Sequence, residues 1–139
     1  MLDLKDALTK ARTIAVVGCS DRPSRTSYAI ARYLQDAGYR MIPVNPHITA
    51  CHGEPAYPDL QSLPGDVRLD IVDIFRNPAY TAEMVQMVVD YARATGAKPI
   101  IWTQLGVSTN EARRLAEEAG LPYVKNRCLM VEHRRLVDG

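Results

Sequence analysis

The sequence predicts an α/β fold, a doubly wound, five-stranded, mainly parallel sheet with helices on both faces. Three observations predict it. Short apolar runs rich in β-branched residues alternate along the chain with longer segments of helical spacing, the pattern of βαβ units. The first run, Thr13 to Val17, is almost continuously apolar and stops at Gly18, as a strand covered on both faces does. At 139 residues the chain can close one hydrophobic core and is too short for two, so it reads as a single domain. Such an arrangement is Rossmann-like, and its ligands are expected beyond the carboxyl ends of the strands.

The elements follow in order. Leu4, Ala7, Leu8 and Ala11 give Leu2 to Arg12 the spacing of a short amphipathic helix, expected to pack on the sheet edge. After the first strand, Tyr28, Ala29, Ala31, Tyr33 and Leu34 predict a helix over Arg25 to Ala37, ended by Gly38, which tolerates the left-handed closing conformation. Tyr39 to Val44 is the second strand. Asn45 to Gly65, with Pro46, Pro55, Pro58, Pro64 and two glycines, is mostly loop with one helical turn near Asp59 to Leu63. Leu69 to Phe75 is the third strand. Asn77 before Pro78 is a helix start, and that helix runs to Thr95 with Gly96 closing it. Pro99 to Trp102 is the fourth strand, Ser108 caps a helix ending at Gly120, and Pro122 to Val124 opens the fifth.

Composition excludes several function classes. Seventeen basic and sixteen acidic residues give a net charge of +1, too little field for a nucleic-acid backbone or an anionic membrane. The N-terminus carries Asp3 and Asp6 and lacks the apolar stretch of a signal peptide. No run approaches the ~18 apolar residues of a membrane span. Cys19, Cys51 and Cys128 are odd in number and widely spaced, which fits reduced thiols in a cytoplasmic protein.

Gly18-Cys19-Ser20-Asp21-Arg22-Pro23-Ser24-Arg25 lies between the first strand and its crossover helix, where free N–H groups and a helix N-terminus favour phosphate. The dinucleotide fingerprint G-x-G-x-x-G is not met, because Ser20 stands at its second glycine and Pro23 removes a donor. NAD-binding domains place an acid at the end of the second strand to hold the ribose. Here Tyr39 to His47 contains none. A ligand with a phosphate on its ribose suits such a strand end, with Arg25, Arg40 and His47 as candidate cations. Phe75-Arg76 at the third strand mouth pairs an aromatic with a guanidinium, able to pack an adenine and meet a phosphate. Thr103-Gln104-Leu105-Gly106 occupies the fourth mouth. His47, Cys51 and His52 lie close in sequence, but a fourth metal ligand is missing at finger-like spacing. Cys19, near a helix N-terminus, is a candidate reactive thiol, whereas Glu111 to Glu118 and His133-Arg134-Arg135 read as solvated surface.

In order along the chain, VVGCSDRPSRTSYAIARYL, GYRMIPVNP, DIVDIFRNP, IWTQLGV and NRCLMVEHRRL resemble the small stand-alone coenzyme A-binding proteins. The resemblance spans Thr13 to Leu136. More distantly, the same blocks are similar to the CoA-binding domain of the succinyl-CoA synthetase α-subunit and of ADP-forming acyl-CoA synthetases. It implies that Gly18, Cys19, Ser20, Ser24 and Arg25 form the pyrophosphate region. Asn45, Pro46 and His47 would lie near the adenosine 3′-phosphate, Phe75 and Arg76 at the third mouth, and Thr103, Gln104, Leu105 and Gly106 along the pantetheine arm. The synthetase domain has a lysine where this chain has His47, so Arg25 or Arg40 is expected to replace it.

The expected function is non-catalytic binding of CoA or an acyl-CoA, with no metal, nucleic acid or membrane and with a protein partner left open. The alternatives are a partner-dependent acyl-CoA synthetase or ligase component, a small NAD(P)-dependent oxidoreductase, and a regulatory module. In the synthetase the resemblance implies a phosphorylated histidine on a segment beyond the CoA-binding domain. This sequence stops at Gly139, and none of its three histidines has a recognisable nucleophile setting.

Overall fold

The computed structural model describes residues 2–138. In chain order the elements are α1 (Leu4–Lys10), β1 (Thr13–Val17), α2 (Thr26–Asp36), β2 (Arg40–Val44), β3 (Ala50–Cys51), β4 (Glu54–Pro55), β5 (Ile71–Ile74), α3 (Thr81–Thr95), β6 (Ile100–Thr103), α4 (Asn110–Glu118), β7 (Tyr123–Val124) and α5 (Leu129–His133). A 3-10 turn at Pro78–Tyr80 leads into α3, and a π-helical turn at Arg134–Asp138 follows α5. The main sheet is parallel throughout, in the order β2-β1-β5-β6-β7. Beside β2, Tyr57 makes a single parallel bridge to Val44. Its N–H donates to Pro43 O, and its carbonyl accepts from Asn45 N. Counted as a strand, that bridge completes the Rossmann order 3-2-1-4-5-6, which reverses between β1 and β5.

Both faces of the sheet are covered, which is why its strands read as apolar runs rather than alternating ones. On one side Ala15, Val17, Val72 and Ile74 pack with Val85, Val88 and Val89 of α3 and Ala112 and Ala116 of α4. On the other, Ile14, Val16, Ile71 and Trp102 pack with Leu8 of α1, Ile30 and Leu34 of α2 and Leu129 of α5. Helix α1 therefore lies on a face, not at the edge expected from sequence, because Leu8 needs the apolar layer around Ile14.

Local hydrogen bonds decide the element ends. Asn77 Oδ1 accepts from Ala79 N at 2.9 Å, starting the 3-10 turn with Pro78 at its first position. Gly96, at φ 77°, closes α3. The cap of α4 is Thr109, whose Oγ1 accepts from Ala112 N at 3.1 Å, rather than Ser108, whose hydroxyl pairs with Tyr123 OH at 2.8 Å. Within the expected loop, β3 and β4 form an antiparallel hairpin turned by His52 and Gly53, both left-handed at φ 51° and 81°. The turn near Asp59 is held by its carboxylate, which accepts from Ser62 N and Oγ.

The C-terminal segment also departs from expectation. His133 is buried and its Nδ1 lies 2.7 Å from Tyr33 OH, so it is a core contact between α5 and α2 and not surface. Glu132 is buried between Arg127 and Arg135, at 3.0 and 3.1 Å. Burial holds the His133 imidazole below its ordinary value of 6.5, against an opposing pull from Asp138. The unfolded chain therefore protonates His133 more readily than the folded one. The resulting stability is present above the ordinary value and is lost as pH falls through the folded one. Wild-type melting temperature is expected to drop more than that of His133→Gln between about pH 7.5 and about pH 5, as read by thermal melts followed by circular dichroism.

Candidate functional site

The carboxyl ends of β1 and β5 flank the point where strand order reverses. Gly18 follows β1 there at φ +84°, and a Cβ added to it would sit 2.0 Å from the Phe75 carbonyl oxygen. The neighbouring strand thus demands glycine whatever the ligand. The chain then passes through a loop tied on every side. Gly18 N donates to Val44 O at 2.8 Å, Asn45 Nδ2 to Cys19 O at 2.8 Å, Ser20 N to Ser27 Oγ at 3.0 Å and Arg22 N to Ser20 Oγ at 3.0 Å.

This loop delivers the chain into α2 with Arg25 at the cap position and no side-chain cap, since a guanidinium has no acceptor to offer. The first residues of α2, Thr26 and Ser27, line the crevice, and an uncapped helix N-terminus there suits an anion. Across Gly18 stands Arg76, whose guanidinium lies 4.7 Å from the centre of the Tyr80 ring. Its Nε is buried without a hydrogen-bond partner. Arg22, Arg25 and Arg76 line the crevice with His47, against one acid, Asp21. None of these arginines has a salt-bridge partner among the described residues.

Two clefts open from this centre. The larger, about 660 Å³, runs from Gly18, Ser20, Ser24, Arg25 and Ser27 past Phe75 to Gln104, Leu105 and Cys128. The other, about 460 Å³, runs past Asn45 and His47 to Tyr80, and Pro46 lines an adjoining hollow with Met84 and Met87. Most of the residues singled out from sequence therefore converge.

Four do not. Cys19 is fully buried behind the loop, and its Sγ and that of Cys51 both donate to Ser20 O, at 3.8 and 3.4 Å. Thr103 is buried, donating to Val124 O at 2.7 Å. Gly106 is turned onto Asn126, its N–H donating to Oδ1 at 2.6 Å. Arg40 sits at the opposite end of β2, four residues or ~13 Å from the mouth, so it cannot stand in for the missing lysine. Neither do His47, Cys51 and His52 form a metal ligand set. The His52 ring packs tilted against the Tyr28 ring with Nε2 2.8 Å from Tyr28 O, and no cluster of three metal-ligating side chains occurs among the described residues.

Residues 12–134 match the family CoA_binding_2, described as a CoA binding domain. The chain belongs to this family. It is 37% identical over 131 residues to the uncharacterized protein YneT of Bacillus subtilis, covering 94% of this chain and 92% of that one. A hypothetical protein from Pyrococcus horikoshii superposes with a TM-score of 0.87 at 37% identity, over 98% of this chain and 93% of the other. A protein from Thermus thermophilus does so at 0.86 and 38%, over 96% of each. An NAD binding oxidoreductase from Klebsiella pneumoniae shares the fold at 0.52 and 18% identity, so the fold by itself does not select the ligand.

In this CoA-binding domain, sequence reasoning missed Arg22, Ser27, Tyr80 and Cys128 as lining residues. Tyr80 was detectable as an aromatic one turn beyond Arg76. Cys128 reads from sequence only as a reduced thiol, because nothing in its spacing places α5 beside β6. Asp73 was also missed. It sits on β5 between Val16 and Trp102, fully buried, with neither carboxylate oxygen hydrogen-bonded. Burial alone holds its carboxyl well above the ordinary range. No helix among the described residues is long and apolar enough to cross a membrane.

Proposed function

We propose that the domain binds CoA or an acyl-CoA in the crevice between β1 and β5, without turnover, in the reducing cytoplasm. The observation that carries this reading is Arg76, a guanidinium with a buried, unpartnered Nε beside an uncapped helix N-terminus. Such a donor left without an acceptor costs stability unless an anion completes it. A pyrophosphate is the anion that suits both. The two clefts then suit an adenosine on the Tyr80 side and a pantetheine arm on the Gln104 side. Leu105, 67% exposed, leaves the far end open to an acyl group.

NAD fits less well at a specific position. The residue that follows β2 is Asn45, and its side chain is already committed, Nδ2 to Cys19 O and Oδ1 to His47 N at 2.9 Å. It has no carboxylate with which to hold a ribose 2′-hydroxyl. Absence of turnover is supported by the histidines. His52 and His133 are tied to tyrosines, which leaves His47 at the crevice with no side-chain partner among the described residues that would orient it as a base.

Calorimetry and thermal shift test the reading. CoA is expected to raise the melting temperature more than NAD, NADP or ATP at equal concentration. Arg76→Ala is expected to weaken CoA binding by about 1.5–3 kcal/mol, the range for a hydrogen bond to a charged group. A larger shift with NAD, or an unchanged affinity in Arg76→Ala, overturns it. Sustained formation or hydrolysis of thioesters by the pure protein overturns the non-catalytic part.

A further inference from the structure

Of the three cysteines, the one placed to meet a bound ligand is Cys128. Cys19 and Cys51 are buried, and burial raises both thiols, Cys19 far above its ordinary value with Cys51 and Asp21 adding to the effect. Such thiols are poor nucleophiles and are shielded from a disulfide in solution. Cys128 is half-buried and lines the larger cleft beside Gln104 and Leu105.

Gln104 independently marks this end of the cleft as a ligand site. It is 6% exposed, and its orientation is fixed because Leu129 N–H donates to Oε1 at 3.1 Å, which only the oxygen can accept. Gln104 lines the same cleft as Cys128, and its amide nitrogen Nε2 donates to no group among the described residues. A donor left open on the cleft wall suits the amide carbonyls of an extended chain such as pantetheine.

The geometry points to Cys128 as a site of reversible mixed-disulfide formation with CoA, the disulfide form of the ligand being held with its sulfur end at Cys128. This rests on the proposed CoA site. The step is thiol–disulfide exchange. The Cys128 thiolate attacks one sulfur of CoA disulfide, the S–S bond of that molecule breaks, and a Cys128–S–S–CoA bond forms. The second CoA leaves as a thiolate and takes up the proton that Cys128 released. CoA disulfide is itself the oxidant, so no other electron acceptor is needed. The consequence is a protein whose site is covalently filled when CoA is oxidised and emptied when thiols are restored.

The test uses the full chain, CoA disulfide as probe, glutathione disulfide as a probe lacking the nucleotide, and intact mass spectrometry without reductant. Wild type is expected to gain one CoA per chain, released by dithiothreitol and mapped to the Cys128 peptide. The rate is expected to be on the order of tenfold above that with glutathione disulfide, because binding raises the local concentration. Cys128→Ser should gain none, and Arg76→Ala should lose the advantage of CoA over glutathione. Mapping of the adduct in wild type decides the matter even if Cys128→Ser fails to fold. Labelling at Cys19 or Cys51, equal rates with the two disulfides, or no adduct on protein that binds CoA by calorimetry overturns the inference and leaves the CoA reading intact. Calorimetry without CoA binding removes both.

Discussion

Gly18→Ala is expected to destabilise the fold by roughly 2–5 kcal/mol and to lose most CoA affinity. Two costs combine. The new methyl would stand 2.0 Å from the Phe75 carbonyl oxygen, so β1 and β5 must part at the crevice, an overpacking cost of roughly 1–3 kcal/mol. The residue would also hold φ near +84°, which costs a side chain roughly 1–2 kcal/mol. Since Arg76 Cδ is 3.1 Å from the same point, its guanidinium would shift with the strand. Urea denaturation and calorimetry on the same preparation read the two effects. A variant of wild-type stability that has merely lost CoA would show that glycine serves only ligand approach.

Asp73→Val is expected to stabilise the protein, by about 1–3 kcal/mol, the penalty of a buried polar group without partners. Valine is apolar and β-branched and suits a strand between Val16 and Trp102. The sign with pH is also set. The folded-state carboxyl titrates above its unfolded value of 3.8, so the protonated form that the fold accepts is matched by the unfolded chain only in acid. Wild-type stability falls as pH rises from that value through the folded one. The advantage of Asp73→Val is therefore expected to widen across the same window, as measured by urea denaturation at a series of pH values. A destabilised variant would mean that Asp73 is held by contacts beyond those of the protein itself.

The parts of this molecule legible in sequence are those governed by local patterning. The apolar runs at Thr13–Val17 and Ile71–Ile74, the closing Gly96 and the Asn77-Pro78 start each follow from neighbouring residues. The loop after β1 is legible for the same reason, being a strand, a turn and a helix in succession. What escaped depends on contacts distant in sequence. His133 is polar and stands beside two arginines, yet it is buried because Tyr33, a hundred residues earlier, offers it a hydroxyl. Thr103 ends a strand like a binding residue but spends its hydroxyl on Val124 O. The β3–β4 hairpin is two residues a side, too short for any period to show. Asp73 breaks an apolar run, and sequence offers no sign that its carboxyl lacks a partner.

The borders of the main sheet bear on how this chain behaves when crowded. A strand with an open row of amides and carbonyls invites a second molecule to continue the ladder. At one border β2 carries Pro43, whose nitrogen has no hydrogen to donate, and the Pro43 and Asn45 groups that face outward are taken up by Tyr57. At the other border β7 is only two residues long. Neither margin gives a foreign strand more than one or two rungs. A concentrated solution of this protein is thereby protected from edge-to-edge aggregation, although its sheet is built from the most apolar stretches of its sequence.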